Sequence, residues 1–216
     1  MEEIPTGILV SALGFALGVI FGATAQRTNF CTMGAISDAV FMGDWNRFRA
    51  WMLAIAIALL GSQILHITGT VDLATSIYLT PNLGWAGAII GGLLFGFGMT
   101  LTGGCGNKTL VRLGAGNLKS MVVALFLGIF AYMTLRGLTG LARVELEDAI
   151  NVDLLAFGMA DQGIPALLGL LGVPENVARL IVLVMVAGGL MWFVFKSRDF
   201  RTSEADMAGG IIIGLL

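Results

Sequence analysis

The residues best placed to do chemistry are two cysteines in matching surroundings, Cys31 closing "GVIFGATAQRTNFC" and Cys105 closing "GLLFGFGMTLTGGC". Both stretches read G-x2-F-G-x5-T-x2-C, so Gly18, Phe21, Gly22, Thr28 and Cys31 fall on Gly92, Phe95, Gly96, Thr102 and Cys105 at one offset of 74 residues. With two cysteines, one histidine (His66) and no CxxC pair, the usual zinc and haem spacings are excluded. A structural disulfide does not follow from two cysteines 74 residues apart. No Walker loop, GxSxG or HExxH motif is present, so enzymatic hydrolysis has no evident residues to run on and no cofactor is implied. A single cysteine packs most often as a small buried hydrophobe. A pair repeated inside glycine-rich clusters is instead a candidate for a transport path.

The elements that must hold these thiols are membrane helices. The chain is 57% hydrophobic and 12% charged, against about 25% charged in soluble domains, and its mean hydropathy is +0.91. Crossing the hydrocarbon core takes about 20 mostly apolar residues. The uncharged runs predict an all-α polytopic bundle with spans near 5–25, 48–69, 83–103, 118–138 and 177–196, and an outer loop over 141–176. Residues 204–216 read as the start of a further span. Met1-Glu2-Glu3 is acidic where a secretory signal is basic, so the first run is kept as a span.

Charge orients the bundle. Arg27, Arg47 and Arg49 flank the first connection, Lys108, Arg112 and Lys119 the third, and Lys196, Arg198 and Arg201 follow the fifth span. The second connection has no Lys or Arg, and the fourth carries Glu145, Glu147, Asp148, Asp153 and Asp161. The positive-inside rule then places the N-terminus outside and the basic connections in the cytoplasm, against a minor opposing signal from Arg136, Arg143 and Arg179. The net charge of −2 says little about partners, and no nucleic-acid partner is expected.

After each cysteine comes a stretch too short to span, about 32–42 and 106–114. Both read as short helices folded back toward the membrane, with the cysteine at the break. Broken helices of this kind aim free N–H groups and a positive dipole end at a cavity, which suits an anion. Lys108 and Arg112, four apart, share a helical face at the expected inner mouth. Asp38 is an acid in an apolar segment, a functional hypothesis by default, with cytoplasmic exposure as the alternative. Gly18-x3-Gly22 and Gly92-x3-Gly96 are assigned to close helix packing. His66 reads as an interfacial side chain, and Trp45, Trp51, Trp85 and Trp192 as an aromatic belt.

The segments "NFCTMGAISDAVFMGDWNRFRAW" and "GFGMTLTGGCGNKTLVRLGAGNLKS" resemble the YeeE/YedE family of sulfur-compound transporters, with GGCGN as the most specific part. The resemblance implies two pseudo-symmetric halves whose broken helices meet at a narrow waist, and uptake of thiosulfate or a related sulfur anion along cysteine thiols. It makes Cys105 a central relay thiol and Cys31 a second thiol nearer one mouth, with Gly103, Gly104 and Gly106 turning around the first. Asn29, Thr102 and Asn107 complete the expected path, with Lys108 and Arg112 as inner-mouth charge. A protonated thiol, a weak donor with a soft sulfur, would touch thiosulfate without gripping it.

Such a transporter needs a second half with its own cysteines. The chain therefore reads as truncated or as completed by a partner. The rival readings are a permease for another small anion, a membrane subunit handing sulfur to a cytoplasmic sulfurtransferase or redox enzyme, and a purely structural subunit.

Overall fold

The computed structural model describes residues 6–73, 76, 79–159, 161–170 and 172–216. The acidic N-terminus and parts of the second and fourth connections lie outside the described residues. In chain order the helices are α1 (Thr6–Arg27), α2 (Thr32–Ser37, continuing as a π-helical turn over Asp38–Met42), α3 (Asn46–Ile67), α4 (Trp85–Thr102), α5 (Gly106–Gly114) and α6 (Leu118–Arg136). There follow α7 (Leu138–Ile150), α8 (Ile164–Gly169), α9 (Glu175–Phe195), α10 (Arg198–Thr202) and α11 (Glu204–Leu215). Two short strands, β1 (Asn82–Leu83) and β2 (Val152–Asp153), pair antiparallel, Asn82 opposite Asp153 and Leu83 opposite Val152.

Five of these units are long and apolar enough to cross a membrane: Thr6–Met42, Asn46–Ile67, Trp85–Gly114, Leu118–Arg136 and Glu175–Phe195. At 1.5 Å per residue, a helix of about 20 residues matches the hydrocarbon thickness. Little of their surface is buried within the chain, and side chains such as Phe15, Leu93, Leu94 and Leu101 are exposed. Outward apolar faces of this kind are at home in lipid or against further membrane helices, so this is a multi-pass membrane protein. The segment expected as an outer loop is more ordered than a loop, holding α7, β2, a 3-10 turn over Leu154–Phe157 and α8.

The core sits at one end of the bundle. Ala25 and Phe30 at the end of α1 pack with Ala50, Leu53 and Ala54 of α3, Val194 of α9 and Phe200 of α10. Against this core α11 lies on α3 at backbone contact. A Cβ on Gly210 would stand 2.8 Å from the Ala50 carbonyl oxygen, and one on Gly214 2.7 Å from that of Ala54. Only glycine permits that approach.

The glycine pairs in α1 and α4 make no such contact among the described residues. A Cβ on Gly18, Gly22, Gly92 or Gly96 would meet nothing within 4 Å among the described residues, so within this chain these pairs seat no neighbouring helix. Trp51 is a correction. Rather than sitting in an interfacial belt, it packs against the core and stacks on Phe30 with ring centroids 4.5 Å apart.

Candidate functional site

The two cysteine stretches fold as the same backbone device. α1 ends where Phe30 N–H donates to the Ala25 carbonyl at 3.1 Å, and α4 ends where Gly104 N–H donates to Met99 at 3.2 Å. These bonds lie at the same 74-residue offset as the cysteines. Each reaches back five positions and encloses one left-handed residue, Asn29 at φ 51° and Gly103 at φ 68°. This is a Schellman stop, which requires a left-handed C′ residue, favouring glycine and then asparagine. Past the stop the backbone returns to extended geometry at Cys31 and Cys105, each the N-cap of the following short helix. Ala35 N–H then bonds the Cys31 carbonyl at 2.9 Å, and Thr109 N–H that of Cys105 at 3.0 Å.

The two breaks converge. Cys31 Sγ lies 3.3 Å from Cys105 Sγ, both thiols are free, and either can donate to the other. Both residues are buried, 5% and 4% exposed. Two further bonds tie the copies together beside the sulfurs. Asn107 Nδ2 donates to the Phe30 carbonyl at 2.8 Å, and Lys108 Nζ to Asn29 Oδ1 at 2.7 Å.

The remaining expected residues support the turn. Thr102 Oγ1 lies within hydrogen-bond reach of the carbonyls of Gly98 (2.9 Å) and Gly104 (3.1 Å) and has one proton to give to either, so it caps the end of α4. Arg112 Nη1 donates to the Gly103 carbonyl at 3.0 Å. A Cβ on Gly104 would sit 3.4 Å from Lys108 Cβ and 3.6 Å from Arg112 Nη1, so the Lys108 stem and the Arg112 guanidinium lie against the turn. Gly106 faces Leu127 of α6. Among the described residues nothing crowds Gly103, and its need for glycine is conformational.

Asp38 does not face open water. It is buried and paired with Arg47, Nη2 to Oδ2 at 2.6 Å. Arg47 reaches it across Gly34, where a Cβ would overlap the guanidinium. Phe30, Trp51, Gly34, Arg47 and Thr109 are members of this neighbourhood that the sequence motifs do not single out. Phe30 immediately precedes Cys31, and Thr109 stands at the repeat position of Ala35; that offset is the signal the chain offers for both.

His66 lies in the last turn of α3, roughly 25 Å along that helix from the cysteine end. Its Nε2 meets Arg179, which also pairs with Glu175 at 2.7 Å. Cavities of about 440 and 600 Å³ open there between α3, α8 and α9, sharing Gln63 and Arg179.

Comparison with known proteins adds an independent line. A family described as sulphur transport matches residues 27–211. The chain is 27% identical over 208 residues to a thiosulfate transporter TsuA of Spirochaeta thermophila, covering 94% of this chain and 61% of that protein. It is 30% identical over 122 residues to a thiosulfate transporter TsuA of Escherichia coli, 56% of this chain and 32% of that one. It is 36% identical over 104 residues to the probable transporter YedE of Escherichia coli, 46% of this chain and 24% of that protein. The chain thus spans about three fifths of the first relative's length and a third or less of the other two.

Proposed function

The chain belongs to the sulphur-transport (YeeE/YedE) family, and on that premise we propose that its cysteine breaks form part of a path carrying thiosulfate or a related sulfur anion across a bacterial inner membrane. The observation that carries this reading is the meeting of two buried free thiols, 3.3 Å apart, at the N-caps of two short helices inside a membrane bundle. The names of the relatives support the substrate class.

Each thiol in its protonated form offers one weak S–H donor and a polarisable surface. A sulfur oxyanion entering the waist exchanges the S–H···S contact between Cys31 and Cys105 for contacts to itself, then returns it on leaving. Weak, sequential sites favour flux over retention. Lys108 and Arg112 keep positive charge over the Cys105 turn while their donors rest on an amide and a carbonyl. They hold an approaching anion near the inner mouth by field rather than by a tight clamp. The N-terminus lies outside and the basic connections face the cytoplasm.

Labelled thiosulfate uptake by cells expressing the protein tests the reading, with wild type set against Cys105→Ala and Cys31→Ala at equal membrane levels. Uptake in wild type that falls at least about tenfold in Cys105→Ala, a loss of about 1.4 kcal/mol in transfer, supports the thiol path. Uptake that survives both substitutions makes the cysteines packing residues. Competition by sulfate, sulfite and sulfide separates thiosulfate from other anions. Persulfide on either cysteine in a protein without uptake transfers the role to sulfur hand-over to a cytoplasmic partner.

A further inference from the structure

Two free thiols in contact can do more than pass a hydrogen bond. We infer that Cys31 and Cys105 are also a modification site: a dithiol that an S–S-bonded sulfur oxyanion, with tetrathionate as the example, oxidises to an intrachain disulfide.

The geometry supplies what the reaction needs. The sulfurs are 3.3 Å apart, and a covalent S–S bond of about 2.05 Å is reached by a movement of roughly 1.2 Å. The backbone on both sides is tied across the pair, through Asn107 Nδ2 to the Phe30 carbonyl and Lys108 Nζ to Asn29. The two thiols are therefore held as neighbours although 74 residues separate them in the chain.

The chemistry is thiol–disulfide exchange. One thiol loses its proton to solvent and attacks a central sulfur of tetrathionate. The central S–S bond breaks, thiosulfate leaves, and the cysteine carries an S–SO3 group through a new S–S bond. The second thiol loses its proton and attacks the first Sγ, a second thiosulfate leaves, and the Cys31–Cys105 bond forms. Two electrons pass from the thiols to tetrathionate, which becomes two thiosulfates, and two protons are released. Because the second thiol is already in contact, its effective concentration is high and the adduct is resolved within the chain.

The inference rests on the proposed path in one respect, that a sulfur oxyanion reaches the buried pair. Its consequence for transport is closure, since the disulfide removes both S–H donors and ties the end of α1 to the end of α4. Added thiol reopens it.

The test uses the intact protein in membrane vesicles, treated with tetrathionate and then examined by intact mass and by thiosulfate uptake. The expected result is a wild-type mass lower by two hydrogens, and an uptake that is lost and then restored by dithiothreitol. Cys31→Ser and Cys105→Ser should each keep a stable thiosulfate adduct on the remaining thiol. Wild type that keeps adducts without closing, or keeps both thiols free while still taking up thiosulfate, overturns the inference and leaves the proposed path standing. A disulfide that forms with uptake unchanged supports the modification site and overturns the path.

Discussion

The first and second cysteine breaks share a backbone and differ in what is hung on it. At matching positions, Asp38 stands in the first copy where Arg112 stands in the second, Gly34 where Lys108 stands, Phe30 where Gly104 stands and Asn29 where Gly103 stands. In the first copy the carboxylate is buried and closed by Arg47, and Phe30 is locked under Trp51. In the second, Arg112 bonds the Gly103 carbonyl and Lys108 reaches across to the Asn29 amide of the first copy. A repeated stop can thus carry a buried ion pair in one copy and cationic side chains in the other. The backbone motif specifies where the thiol goes, and the side chains around it specify how firmly it is held.

The sharpest way to break this comparison is to remove the charge at matching positions. Asp38→Ala leaves Arg47 without its carboxylate partner in a mostly buried setting. The expected cost is about 2–4 kcal/mol, below the full range for a buried pair because the Arg47 side chain is 34% exposed. Arg112→Ala removes one exposed bond to a carbonyl and should cost under about 1 kcal/mol. Unfolding of the two variants in detergent checks this, and equal losses would mean the first copy is no more fixed than the second.

A milder test takes the next matching pair. Gly34→Ala forces the Arg47 guanidinium aside, since a Cβ there would overlap it. Because the obstacle is the end of a flexible side chain, the expected loss is about 1–2 kcal/mol. Lys108→Ala gives up a single exposed bond and should leave stability nearly unchanged. Its expected effect is on uptake, a fall of about threefold to tenfold that shrinks as ionic strength rises. A stability loss in Lys108→Ala as large as that in Gly34→Ala would show that Lys108 clamps the second turn structurally.

These pairs also show how far the amino-acid sequence by itself reveals the fold and the site. The apolar runs, matched to bilayer thickness, mark the five spans, because length and composition are all a spanning helix needs. The G-x2-F-G-x5-T-x2-C repeat locates both breaks, because a Schellman stop leaves a local mark in glycine or asparagine followed by a cap. Contacts between copies leave no such mark. Nothing in the chain around Asp38 names Arg47 as its partner, nor Phe30 as the residue Asn107 holds, since both depend on how α3 and α5 dock. The glycine spacing does not tell which helix it would seat, for the same reason. The pattern is alike in α1, α4 and α11, yet among the described residues only Gly210 and Gly214 of these spaced pairs meet a neighbouring backbone.

The smallest effect separates backbone from side chain at the left-handed position itself. Asn29 and Gly103 hold φ of 51° and 68°, a region that costs most L-residues about 1–2 kcal/mol but glycine almost nothing and asparagine less than the rest. Among the described residues nothing lies within 4 Å of a Cβ at Gly103, so Gly103→Ala should lose about 1 kcal/mol through conformation alone, and Gly103→Asn less. Asn29→Gly relaxes the backbone but releases Lys108 Nζ from its 2.7 Å bond, and the two terms should cancel to within about 0.5 kcal/mol. Unfolding measured on all three variants decides the point. The order Gly103→Ala, Gly103→Asn, Asn29→Gly, from most to least destabilised, is what one shared stop with exchangeable left-handed residues requires; an Asn29→Gly loss exceeding that of Gly103→Ala would mean the Asn29–Lys108 bond, and not the turn, holds the first copy against the second.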